Sequence, residues 1–280
     1  MKKITLHALA LAIGSAAFAA LPAPTLQAQT LVTVTPGNTS GWVDNSDQKS
    51  MPAGSATATI TNVNSNDGDG SLQLTMTGVS QPAYANGSSL VTGNLSSLSS
   101  ASFDWSQAVG APGNPVFRMY INDGGATAGA FNYGSLGWYG TDSNIWQSSG
   151  NLASTGQFFL RVKTLTNVQG QLSTDCKSIG QSFDDRRQTI TQWIAACNGQ
   201  NGAFNLTTAQ ITALQMDQGT WPGFTGTNTS YVDNVNIGYT NGPNTTFDFA
   251  TTTPEPSSMA LLGSGLIGLV PMFRRRRKNA

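Results

Sequence analysis

Ser71-Leu-Gln-Leu-Thr-Met-Thr77 alternates apolar and polar residues without a break and places Leu72, Leu74 and Met76 on one side. Successive side chains of a strand point to opposite faces, so this pattern makes one face core and the other polar. Similar short runs lie on both sides of it. Residues 31–34 and 57–63 read as strands, the latter with threonines alternating with Ala58 and Ile60. Residues 88–92, 101–106, 116–122, 158–164, 211–216 and 231–238 read as further strands, and Phe103 and Trp105 share one face. Gly- and Asn-rich turns such as Asn122-Asp-Gly-Gly125 separate them. Many short strands with such turns predict an all-β antiparallel sandwich or barrel, not βα alternation.

The segment bounded by Cys176 and Cys197 departs from that pattern. Ser182 with Asp185 three residues on suits a helix start, and Phe183, Ile190, Trp193, Ile194 and Cys197 recur at helical spacing. Asn198-Gly199 would end such a helix, although Thr189-Ile-Thr-Gln192 also suits a strand. In an exported chain this local pair of cysteines is expected to form a disulfide, contributing about 3 kcal/mol on the chain-entropy estimate. The sharper alternative, a thiol nucleophile, lacks a histidine to activate it.

Between two of the strands runs Asn62-Val-Asn-Ser-Asn-Asp-Gly-Asp-Gly70, a turn by composition. Its Asn62, Asn64, Asn66, Asp67 and Asp69 could offer oxygen ligands to calcium, but no bidentate Glu closes the loop and Gly68 is out of place for an EF-hand. A plain hairpin loop is the favoured reading.

Both ends serve targeting. Met1-Lys2-Lys3 precedes an apolar run over 4–21, with cleavage sites after Ala19 or, preferably, after Ala28. At the other end, Pro254-Glu255-Pro256 is followed by 17 uncharged residues, 257–273, and then Arg274, Arg275, Arg276, Arg277 and Lys278. As a helix the uncharged run would be about 25 Å long, at the short end of what crosses a bilayer. The cations suit a cytoplasmic flank. This tail resembles the PEP-CTERM sorting signal recognised by exosortase-type membrane proteases of Gram-negative bacteria that make extracellular polysaccharide. The resemblance implies export, signal-peptidase processing, transient inner-membrane anchoring, cleavage near the motif, and release to the cell surface or matrix. It covers residues 251–280 and is silent on the body, residues 29–250.

The body carries seven cations against thirteen aspartates, a net charge of −6. Such a surface argues against nucleic acid as a partner. Its composition also limits chemistry. The only histidine is His7 and the only glutamate Glu255, both in targeting segments. A Ser-His-Asp triad and a histidine zinc site are therefore excluded, and a glycosidase would need two Asp.

Gln210-Ile-Thr-Ala-Leu-Gln-Met216, Gly219-Thr-Trp-Pro222 and Tyr231-Val-Asp-Asn-Val-Asn-Ile237 resemble the closing part of jelly-roll carbohydrate-binding modules. That resemblance implies a jelly-roll-like sandwich and assigns Asp233 to a structural calcium site. For sugar stacking, Trp138, Tyr139 and Trp146 with Asp142 and Asn144 form one candidate cluster, and Trp221 lies in a second loop. Trp42, Trp105 and Trp193 read as core. The resulting expectation is an exported, non-enzymatic sandwich at the cell surface or in the extracellular polysaccharide matrix, with carbohydrate binding as a secondary reading. The alternatives are an Asp-based polysaccharide-degrading enzyme and a matrix protein with no specific ligand.

Overall fold

The computed structural model describes residues 28–46, 56–78, 81–107, 114–122, 134–141, 143–163, 169–172, 178–179, 187–198, 205–218 and 226–251. The apolar run 4–21, the span 257–273, the motif around Glu255, and Asp142, Cys176, Ser182 and Trp221 lie outside them. The first strands are β1 (Thr30–Val34), β2 (Trp42–Asp44), β3 (Ala56–Thr61), β4 (Ser71–Thr77), β5 (Ala83–Asn86), β6 (Gly93–Asn94), β7 (Leu98–Gln107) and β8 (Pro115–Asn122). They continue with β9 (Gly134–Tyr139), β10 (Gln147–Ser148), β11 (Phe159–Lys163), β12 (Gln169–Leu172), β13 (Ser178–Ile179), β14 (Gln210–Gln218), β15 (Thr227–Tyr239) and β16 (Asn244–Phe249). Among the described residues, two α-helices, α1 (Leu152–Thr155) and α2 (Ile190–Ala196), and a 3-10 turn at Leu95–Ser97 interrupt the strands.

One sheet runs β1-β16-β15-β4-β3, with β7 on the other edge of β15 and β10 beyond β7. The second runs β13-β12-β11-β9-β8-β14-β5-β2, with β6 also on β14. The all-β sandwich expectation therefore holds, with one correction: β1 pairs parallel with β16, so the first sheet is mixed. Leu72, Leu74 and Met76 are fully buried, as their alternation requires. Rings close the core across the sheets. Phe103 of β7 stacks on Phe117 of β8 at 5.8 Å, and Trp42 of β2 meets Phe247 and Phe249 of β16 edge-on at 5.4 and 5.3 Å.

Three local readings change. Residues 88–92 form a turn closed by Val91 N–H to Ser88 O (3.1 Å), not a strand. Buried Val91 accounts for the apolar signal there, and its carbonyl accepts from the Tyr239 hydroxyl at 2.5 Å. The stretch 137–146 reads as loop-like, but its start, 137–139, belongs to β9 in the middle of the second sheet. In the cysteine-bounded segment, the described helix starts at Thr189 and its first residues are not a strand. Thr189 Oγ1 accepts from Gln192 N–H (3.3 Å) while Gln192 Oε1 accepts from Thr189 N–H (2.9 Å), a capping box that satisfies two otherwise unpaired donors. Among the described residues, no helix is long and apolar enough to cross a membrane.

Candidate metal centre

The site grows from a change of partner along β15. One edge of this strand pairs with β4 up to Val232 and with β16 from Val235, while β7 runs along the opposite edge. Asp233 and Asn234 sit at the changeover, where the register against β7 also shifts. Asn234 takes a left-handed φ of 50°, a conformation that asparagine tolerates better than most residues. Backbone donors freed at the changeover turn to the Asp233 side chain. Its Oδ1 accepts from Asn234 N–H (2.8 Å) and Phe249 N–H (3.0 Å).

The β3–β4 loop and the end of β16 bring three more carboxylates to the same point. Ligand oxygens of Asp67, Asp69, Asp233 and Asp248 all lie within 4.8 Å of one another. Asp233 is fully buried and Asp248 is 6% exposed. Asp233 Oδ2, Asp248 Oδ1 and Asp69 Oδ1 are buried without a hydrogen-bond partner. The described ion pair, Arg118–Asp217, lies on the other sheet, and among the described residues no salt bridge reaches these four groups. An unpaired buried carboxylate is costly, and several together more so.

Protonation is the response available to the protein alone. Burial pushes Asp233 up to about 8, against the two backbone hydrogen bonds and with help from the charges of Asp248 and Asp67. Burial, then the hydrogen bond to Asp67 and the charges of Asp248 and Asp67, raises Asp69 to about 7. Burial and Asp67 also raise Asp248. A divalent cation could replace those protons. Four hard carboxylate donors suit calcium, whose ligands lie at about 2.4 Å, so that opposite oxygens are about 5 Å apart. The donor set therefore fits calcium in chemistry and in span.

Sequence reading had singled out Asp233 and had weighed Asp67 and Asp69, but it had favoured a plain hairpin for their loop. The loop does connect a hairpin; its missing closing ligands come from β15 and β16. Asp248 was not singled out. Its only signal is a carboxylate between Phe247 and Phe249 in an alternating strand. The loop asparagines are used elsewhere: Asn64 Nδ2 donates to Ser106 Oγ (3.1 Å) and Asn66 Nδ2 to Asp104 Oδ2 (2.9 Å).

The candidate sugar platform is not assembled as one surface. Trp138 and Tyr139 are consecutive in β9 and so face opposite ways. Trp138 packs edge-on against Phe103 and Trp105 at 5.7 and 5.6 Å, on the core side. Tyr139 faces outward, stacked on Phe159 at 4.9 Å with the Arg187 guanidinium 5.4 Å over its ring. Trp146 is half-buried and donates to Asn64 Oδ1 (3.2 Å), while Asn144 is exposed. Trp42, Trp105 and Trp193 are buried, as expected.

Around Tyr139, the outer side of the second sheet carries a polar network that sequence reading missed. Arg118 Nε and Gln215 Nε2 both donate to Asp217 Oδ2 at 2.8 Å. Gln215 Oε1 accepts from the Tyr120 hydroxyl (2.9 Å) and Asn45 Nδ2 (3.0 Å). Burial works to lower the Arg118 pKa, but the Asp217 carboxylate overrides it and the net direction is up. Phe159 lies flat over Gly137, where an added Cβ would come within 2.1 Å of the ring.

Residues 252–278 match the PEP-CTERM protein-sorting motif. That motif indicates export and exosortase-dependent sorting to the cell surface. No curated protein matches the chain. Among solved structures, the chain is similar to a family 11 carbohydrate-binding module from Clostridium thermocellum in complex with a β-1,3-1,4-mixed-linked tetrasaccharide. That likeness is 12% identical, covers 70% of this chain and 88% of the module, and has a TM-score of 0.36, too low to support a functional argument.

Proposed function

We propose that this is a non-enzymatic β-sandwich protein delivered by an exosortase-type system to the surface or extracellular polysaccharide matrix of a Gram-negative bacterium. The observation that carries the reading is the sorting motif at 252–278, one residue beyond the last described residue of the sandwich. Export would use signal peptidase and then transient inner-membrane anchoring. Replacing Pro254, Glu255 and Pro256 by alanine is expected to leave uncleaved precursor in the inner membrane, seen by fractionation and C-terminal mass spectrometry. Normal maturation of that variant would overturn the proposal.

Within this reading the sandwich holds a structural calcium ion at Asp67, Asp69, Asp233 and Asp248. Bound there, calcium would supply positive charge to the buried Asp233 and Asp248 and to the loop carboxylates of the half-buried Asp69 and exposed Asp67. Asp233 anchors the site through its backbone hydrogen bonds, and the loop and β16 bring the other oxygens to it. A carbohydrate-binding role is attached to the outer side of the second sheet, where the half-buried Tyr120, Tyr139 and Arg161 lie. Tyr139→Ala is expected to remove retention on immobilised extracellular polysaccharide, with a modest fall in melting temperature from the lost stacking on Phe159. A body without His or Glu favours binding over hydrolysis, and absence of glycan breakdown by the purified protein would be the expected result.

A further inference from the structure

The residues that gather the carboxylates also form the exit of the chain toward the sorting motif. Beyond Asp248, Phe249 N–H donates to Asp233 Oδ1 (3.0 Å) and Ala250 N–H to Val34 O (2.9 Å). Thr251 then donates twice to the Asp69 carbonyl, from its N–H at 3.0 Å and from its hydroxyl at 2.9 Å. Loop and exit meet backbone to backbone at Gly70. A Cβ there would lie 2.8 Å from Thr251 N and 2.9 Å from Phe249 O. The next residue, 252, begins the sorting motif.

Half of the carboxylates stand on the loop (Asp67, Asp69), and the other half on β15 and β16 (Asp233, Asp248). A cation shared among them would therefore bridge the contact that ties Thr251 down. Parting of the loop from Ala250 and Thr251 leaves Phe249, which is fully buried against Trp42, in the core.

We propose that cation binding at these four aspartates acts as a clasp on residues 248–251 and thereby sets the slack between the sandwich and its sorting motif. The proposal rests on the calcium reading above. With the clasp closed, two residues separate Thr251 from Pro254, three Cα steps or at most about 10 Å of extended chain. With it open back to the buried Phe249, the reach is about 17 Å, nearly twice as long. Calcium thus distinguishes a sandwich held against its sorting motif from one on a loose tether.

Hydrogen exchange on the full chain in detergent, with calcium or with chelator, tests this. Calcium at about 100 times its dissociation constant is expected to slow exchange at the Phe249 and Thr251 amides about a hundredfold. Thr251→Val keeps all four carboxylates. It is expected to retain the calcium-induced rise in melting temperature but to lose part of the protection at residue 251. A melting temperature that rises with calcium while exchange over 248–251 is unchanged would overturn the clasp and leave the calcium reading standing. Failure of calcium to bind or to alter melting would remove the calcium reading, and the clasp with it.

Discussion

Asp233 lies in a strand whose neighbours Val232 and Val235 are fully buried, and its own side chain is inaccessible to water. Two backbone donors satisfy one oxygen and none reaches the other. Metal bound only to the native state stabilises by mass action, so calcium should raise the melting temperature and chelator lower it. Asp233→Asn should abolish that difference, as thermal melts would show. The pH dependence follows from the raised pKa values of Asp69 and Asp233, about 7 and 8. In the metal-free protein these groups keep protons that the unfolded chain releases near pH 4. Their contribution to stability is therefore full below about pH 4 and is lost as pH rises through 7 to 8. Calcium binds the deprotonated form, so its increment should grow across the same window. Melts with and without calcium should converge near pH 5 and diverge by pH 8. The other buried carboxylate, Asp217, has Arg118 as its partner. Asp217→Asn would strand a buried guanidinium and should cost about 3–5 kcal/mol in urea unfolding.

At the scale of elements, β15 and β9 do most to place these groups. The partner change along β15 opens a gap between β4 and β16, and the loop before β4 and the end of β16 fill it with carboxylates. β9 sits in the second sheet because Gly137 leaves room for Phe159 from β11 to lie across it. Phe159 is itself confined, with Tyr139 stacked on it and the guanidiniums of Arg118 and Arg161 within 5.7 and 5.0 Å of its ring centre. Gly137→Val should therefore overpack this layer and destabilise by about 1–3 kcal/mol, measured by denaturant titration. Gly137 and Gly140 give the stretch 137–146 a loop-like composition. Cross-strand packing overrode that local preference.

For the whole molecule, export explains several features together. The body has few charges, a net negative surface and a single pair of cysteines. Cys197 is buried at the end of α2, and Cys176 lies outside the described residues. Protein matured through an oxidising compartment should show no titratable thiol after denaturation, and two thiols would mean that Cys176 and Cys197 are unpaired. A calcium site would suit the same setting, because it adds stability after the chain has left the cell interior.

The sequence by itself determined the all-β class, the core register of strands such as Ser71–Thr77, and the sorting tail. Each is written in local periodicity or in a contiguous motif, so neighbouring residues suffice to read it. Only tertiary structure decided that β1 lies parallel to β16, that Trp138 turns inward while Tyr139 turns outward, and that 88–92 is a turn. It alone brought Asp67 and Asp69 to Asp233 and Asp248, which lie more than 160 residues further along the chain. No local pattern encodes that meeting. It depends on strand order and on the point where β15 changes partner, and the energetic consequence, buried carboxylates without partners, exists only once the sheet has formed.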